Sequence, residues 1–98
     1  MEMIKQKKES VYSIALVGRL DTSTAPQLEA EINANLEGVT EFELDFAKLD
    51  YISSAGLRVL LAAQKIMNKQ GSMKVCNVNP EIMEVFDITG FSDILTIA

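Results

Sequence analysis

The residues best suited to chemistry lie in one short run, LDYISSAGL, where the adjacent hydroxyls of Ser53 and Ser54 are followed by Ala55 and Gly56. The run passes from an alternating segment into an apolar helical pattern. Backbone N–H groups at a helix start lack intrahelical acceptors and carry the positive end of the macrodipole, so a phosphate on a serine there is stabilised without unfolding the helix. Gly56 has no Cβ, which permits another backbone or a large protein partner to approach the first turn closely. A plainer reading stands beside this one. Serine before a helix is ordinarily an N-cap, and glycine in a first turn ordinarily serves packing. The residues alone leave both readings open.

Other chemistries find little support. The chain has no histidine, which removes Ser-His-Asp and Cys-His nucleophile activation, imidazole acid/base catalysis and His-containing zinc sites together. Its one cysteine, Cys76, sits in the alternating run MKVCNV and reads as a half-buried strand thiol with no partner for an intramolecular disulfide. Asp21, Asp45 or Asp50 with a divalent metal would suit a small enzyme or a nucleotide-binding domain, yet neither G-x-x-x-x-G-K-[ST] nor G-x-G-x-x-G occurs. No catalytic residue, cofactor or metal ligand is therefore expected. A net charge of −5 repels phosphate backbones, so nucleic acid is not an expected partner. The longest apolar stretch, Val59 to Ala63, is far short of the roughly 20 residues that span a bilayer. The start, MEMIKQKKES, lacks the apolar region of a secretory signal, and a cytoplasmic location follows as the expectation.

The elements that must position the serines follow from periodicity. With 48% apolar and 23% charged residues among 98, the chain reads as one compact domain over residues 1–98. Ser10 to Gly18 alternates, with Tyr12, Ile14 and Leu16 on one face and Val11, Ala15 and Val17 on the other, and both faces are expected to be largely covered. Met3 to Lys8 is expected to pair with it as an edge strand. Thr24, Pro26 and Gln27 signal a capped helix whose stripe is Leu28, Ile32 and Leu36, ended by Gly38. Phe42, Leu44 and Phe46 alternate with Glu41, Glu43 and Asp45, which predicts a strand with one wet face. A helix capped around Ser53 and Ser54 covers Ala55 to Asn68, and Met73 to Val78 reads as a strand. Asn79-Pro80 opens a short helix with Ile82, Val85 and Phe86 inward, and Asp93 to Ile97 is expected to be a last strand. Met83 falls off that inward face, so it is either an exposed apolar contact or ordinary packing against the chain terminus. The predicted architecture is an α/β fold, a mixed sheet packed by helices in the order β-β-α-β-α-β-α-β.

Three consecutive blocks, GRLDTSTAP, LDFAKLDYISSAGLRVLL and GSMKVCNVNPEIMEVFDITGF, resemble the STAS family of anti-sigma factor antagonists over nearly the whole chain. The resemblance implies a non-enzymatic, monomeric domain that binds an anti-sigma factor which is also a serine kinase, thereby releasing a sigma factor. The kinase inactivates it by phosphorylation, and a phosphoserine phosphatase resets it. By the same resemblance the phosphoacceptor, two residues before the glycine, is Ser54. Asp21 of GRLD corresponds to an acidic residue of the partner-binding region, and Thr22, Ser53, Ser54, Ala55 and Gly56 are expected to share that region; Met83, if it is the exposed contact its helix position allows, is expected to add to it. The chain departs from the commonest family pattern at Ser53, where aspartate often stands, and at Ala55, where a second Ser or Thr is frequent. The alternative within the fold is a STAS scaffold or regulatory subunit of a stressosome or lipid-transport assembly.

Overall fold

The computed structural model describes residues 1–98. Two strands, β1 (Glu2–Lys8) and β2 (Val11–Leu20), form an antiparallel hairpin whose turn places Glu9 at φ 57°. Helix α1 (Ala25–Asn35) leads to β3 (Glu41–Ile52), helix α2 (Ser54–Gln70) to β4 (Ser72–Cys76), and helix α3 (Pro80–Thr89) follows. The sheet order is β1-β2-β3-β4, with β2, β3 and β4 mutually parallel. Strand order therefore advances in one direction only. Right-handed crossovers that never reverse deposit α1 and α2 on the same face of the sheet.

Burial follows that rule. Tyr12, Ile14, Leu16 and Leu20 of β2, Phe42, Leu44 and Phe46 of β3, and Met73 and Val75 of β4 are buried beneath the helices. They meet the expected stripe of α1, Leu28, Ile32 and Leu36, and Leu57, Val59, Leu60, Ala63 and Met67 of α2. On the other face Glu41 is exposed and Glu43 and Asp45 are half-buried, as the alternation of β3 predicts. The expectation that both faces of β2 are covered is corrected: Val11 is exposed and Ser13, Ala15 and Val17 are only half-buried, because no helix crosses to that side. Cys76, on that same face, is half-buried, and burial together with the neighbouring Glu43 carboxylate pushes its thiol up to about 11. A thiol raised in this way is mostly protonated at neutral pH, and the thiolate is the nucleophilic form.

The chain's end also differs from expectation. Phe91–Asp93 form a single 3-10 turn, and the tail touches the sheet only through an isolated parallel bridge from Val75 to Ile97. Leu95 is buried, so the short tail is held by side-chain packing and by hydrogen bonds on both sides of Val75 rather than by a full ladder. The sheet thus has two edges of different kinds. β1 is a free edge carrying Lys5, Lys7 and Lys8, whereas β4 is short and partly lined by the tail.

Two polar devices fix the helices that flank the site. At the end of α2 the Gln70 Nε2 donates to the carbonyls of Leu36 and Val39, both at 2.6 Å, and Gly71 lies so close to Thr40 that a Cβ would stand 1.9 Å from its carbonyl oxygen. On α1, Glu31 accepts from the Tyr12 hydroxyl at 2.6 Å and from Lys5 Nζ at 2.9 Å, and also from Asn35 Nδ2. The Tyr12 bond and the Lys5 ammonium hold the Glu31 carboxyl below its ordinary value, while burial and the same carboxylate push the Tyr12 hydroxyl up.

A carboxyl depressed on folding contributes stability that is present above its unfolded pKa and lost as pH falls through its folded one. Tyr12→Phe is expected to cost about 2 kcal/mol at pH 7, the scale of a hydrogen bond to a charged group. It is also expected to flatten the loss of stability below about pH 4.3, the ordinary value of a glutamate in an unfolded chain. Urea denaturation at pH 7 and at pH 3 measures both. A pH dependence equal to the parent's would remove the Tyr12–Glu31 bond from this role.

Candidate functional site

Parallel pairing of β2 with β3 sets Leu20 opposite Ile52, so the turns that follow these strands emerge side by side at the carboxyl edge of the sheet. The Ser53 N–H donates to the Leu20 carbonyl at 2.9 Å and ties the two turns together. Asp21 and Thr22 are thereby brought beside Ser53, Ser54 and Ala55. Thr22, Glu29, Ala55, Arg58 and Val59 line one shallow groove between the starts of α1 and α2. This edge is the usual location of function in open parallel sheets.

The two serines separate cleanly. Ser53 is the N-cap, with an extended backbone and a side-chain oxygen that accepts from the Gly56 N–H at 3.4 Å. Ser54 is the first helical residue and is exposed. Gly56 is buried, and a Cβ there would stand 2.8 Å from Leu20 Cγ and 2.9 Å from Ile52 Cγ1. The expectation that glycine opens the first turn to a partner is corrected. It lets the helix settle on the ends of β2 and β3, and no outside backbone reaches it. At about 100° per residue, two positions are about 200° apart. An inward Gly56 therefore turns Ser54 outward.

Asp21 shapes the neighbouring turn. Its Oδ1 accepts from the Ser23 hydroxyl at 2.7 Å, from the Ser23 N–H at 3.0 Å and from the Thr24 N–H at 3.2 Å. These donors, the Ser23 hydroxyl foremost, hold its carboxyl below the ordinary carboxylate range. The capping role expected of Thr24 is corrected, because its hydroxyl donates to the Arg19 carbonyl and accepts from the Asp21 N–H, each at 2.8 Å, and makes no side-chain cap. Gln27 reaches the Met1 carbonyl rather than closing a capping box.

Two features of this edge escape the sequence reading. Arg19 and Tyr51 are paired across β2 and β3, and the Arg19 guanidinium lies 4.3 Å from the centroid of the Tyr51 ring, itself 42% exposed. The other is Arg58, exposed one turn after Ser54. An Arg-x-Asp run beside a Tyr that closes a strand was the available signal for the first, and an i, i+4 count from the serine for the second. Met83 does not stand clear of its helix. It is half-buried against the core, no hydrogen bond or shared groove joins it to the serine turn, and Ile88, 77% exposed, is the apolar side chain that α3 presents.

The family model for the STAS domain matches residues 2–98. The chain belongs to the STAS domain family. Its curated relatives include BtrV of Bordetella bronchiseptica, a protein that carries the name of an anti-sigma factor antagonist, at 40% identity over 100% of this chain and 86% of that protein. The anti-sigma-B factor antagonist of Bacillus subtilis is 29% identical over 97% of this chain and 87% of its own length. Among solved structures, the anti-sigma factor antagonist SpoIIAA of Bacillus superposes in its unphosphorylated form with a TM-score of 0.79 at 21% identity, over 99% of this chain and 87% of that one. Its phosphorylated form gives a TM-score of 0.78 at 22% identity, over 99% and 91%. At those identities the likeness establishes the STAS fold, with the mixed sheet and helix order described above. No helix of the chain is long and apolar enough to cross a membrane.

In this STAS domain the geometry of Gly56 sets a clear expectation. Gly56→Ala is expected to destabilise by about 2 kcal/mol, as overpacking of a filled site does, and Gly56→Val by more. Ser53→Ala removes only a long capping bond and is expected to cost about 0.5 kcal/mol, the low end for such caps. Urea midpoints at unchanged m-value measure both. A Gly56→Ala protein as stable as the parent would show that Leu20 and Ile52 can yield.

Proposed function

We propose that this STAS domain is an anti-sigma factor antagonist: it binds an anti-sigma factor with serine kinase activity, and phosphorylation of Ser54 ends that binding. The observation that carries the reading is the exposed, outward hydroxyl of Ser54 at the first position of α2, fixed by the inward Gly56, in a turn that the Ser53 N–H bond to Leu20 ties to the turn of Asp21 and Thr22. A hydroxyl so placed is open to a kinase without local unfolding. The names of the curated relatives support the same role.

The switch needs no conformational change. Phosphorylation adds about −1.5 to −2 charges at one point of the contact surface. A partner fitted to a neutral hydroxyl must then bury or expel a solvated dianion, which costs several kcal/mol without a matching cation, and about 1.4 kcal/mol already lowers affinity tenfold. A phosphoserine phosphatase restores the binding form. The stacked Arg19 and Tyr51 extend the contact surface, since arginine and tyrosine are the residue types that anchor interfaces. Asp21 acts on this surface by holding the β2–α1 turn.

Incubation with the cognate kinase and ATP followed by phosphopeptide mass spectrometry is expected to place the phosphate on Ser54. Ser54→Ala is expected to fold, bind the partner and resist phosphorylation, and Ser54→Asp to bind at least about tenfold more weakly. Phosphate on Ser53, or phosphate persisting in Ser54→Ala, would overturn the assignment. Tyr51→Ala is expected to lower partner affinity while shifting stability by no more than about 0.5 kcal/mol, the usual range for an exposed site. Unchanged affinity by titration calorimetry would exclude Tyr51 from the contact.

A further inference from the structure

Resting on the assignment of Ser54 as the modified residue, we propose that Arg58 is the intramolecular partner of the phosphate: its guanidinium closes on the phosphoserine from one turn further along α2.

The geometry comes from the helix itself. Ser54 is the first residue of α2, and Arg58 lies four residues on, within an unbroken helix that runs to Gln70. Residues so spaced have Cβ atoms about 5–6 Å apart on one face. Side chains on a helix lean toward its N-terminus, so the long Arg58 side chain points back over the turn that carries Ser54. An acidic group at i with a cation at i+4 is also the favourable order along a helix. The guanidinium offers a planar fork of donors that matches phosphate oxygens two at a time, which a lysine ammonium does not.

The surroundings leave Arg58 free for this role. Both Ser54 and Arg58 are exposed, and neither is engaged by another side chain. The three ion pairs of the protein are Lys5–Glu31, Arg19–Asp21 and Lys74–Glu43. Arg19, the one other arginine, is already taken up by Asp21 and by the face of Tyr51. Glu29 of α1 lines the same groove as Arg58 without pairing with it. The charged groups near the start of α2 are thus Arg58 itself, Glu29 on α1, Asp21 and Arg19 at the end of β2, and Asp50 near the end of β3. Arg58 alone among them is a cation without a counter-ion. Once paired with the phosphate, its guanidinium is withdrawn from the groove, so modification alters two points of the surface at once.

Phosphoserine introduced at position 54 during translation of the full chain tests the pair without any kinase, so its failure is distinct from a failure of Ser54 to be phosphorylated. The second pKa of the phosphate is followed by phosphorus NMR in the parent, Arg58→Lys and Arg58→Gln. The parent is expected to titrate below the ordinary value of about 6. Arg58→Gln is expected to titrate higher than the parent by about 0.5, with Arg58→Lys between, and 1 M salt is expected to shrink the difference. Circular dichroism melts of the three proteins check that the fold is retained. The Arg58 Nε–H resonance of the parent, one of two such signals, is expected to shift on phosphorylation. Equal phosphate pKa values in parent and Arg58→Gln, or an Arg58 resonance indifferent to the phosphate, would overturn the proposal.

Discussion

Everything at the carboxyl edge depends on one close approach, that of the Gly56 backbone to Leu20 and Ile52. There is no room for a Cβ between them. The contact seats the first turn of α2 on the ends of two parallel strands, and the Ser53 N–H bond to the Leu20 carbonyl adds direction to it. From the other end, Gln70 and Gly71 bind α2 to the α1–β3 connection. A helix held at both ends cannot rotate, so the outward direction of Ser54 is a property of the packed core. Ser-x-Gly is therefore a mechanical unit: one residue fills no space so that the other can face solvent.

The same edge shows how polar groups are divided between shape and contact. Asp21 gives its Oδ1 oxygen to the Ser23 and Thr24 donors and so defines a turn. Arg19 lies on Tyr51 and keeps an aromatic face in place at the surface. Arg58 is the remainder, a cation the fold does not use. Residues that hold the turn are expected to lose binding through lost geometry when changed, whereas Tyr51 and Ser54, the contacts proposed above, are expected to lose it directly.

Much of this was legible in the sequence because strict periodicity has few structural solutions. Phe42, Leu44 and Phe46 could alternate with acids only on a strand with one wet face, and Leu28, Ile32 and Leu36 only on a docked helix. What was not legible depended on contacts distant in sequence. The inward turn of Gly56 is decided by Leu20, the hydroxyl of Thr24 is claimed by Arg19 and Asp21, and the second face of β2 stays open because strand order never reverses. The tail from Asp93 to Ile97 had the composition of a strand, but Val75 offers it only one bridge. Met83 had the right spacing to be exposed, and packing against the core covers it in part.

The unlike edges of the sheet have a consequence for life at high concentration. A protein whose sheet has open edges invites stacking with its own copies as its concentration rises. Here β1 leaves one edge unpaired but carries Lys5, Lys7 and Lys8 along it, the kind of charged side chain that blunts an open edge. At the opposite edge β4 is five residues long and the bridge to Ile97 occupies part of it. Lys5 and Lys7 thus serve twice, tying the hairpin to α1 through Glu31 and the Asn35 carbonyl and lining an edge with the charged side chains that disfavour strand addition.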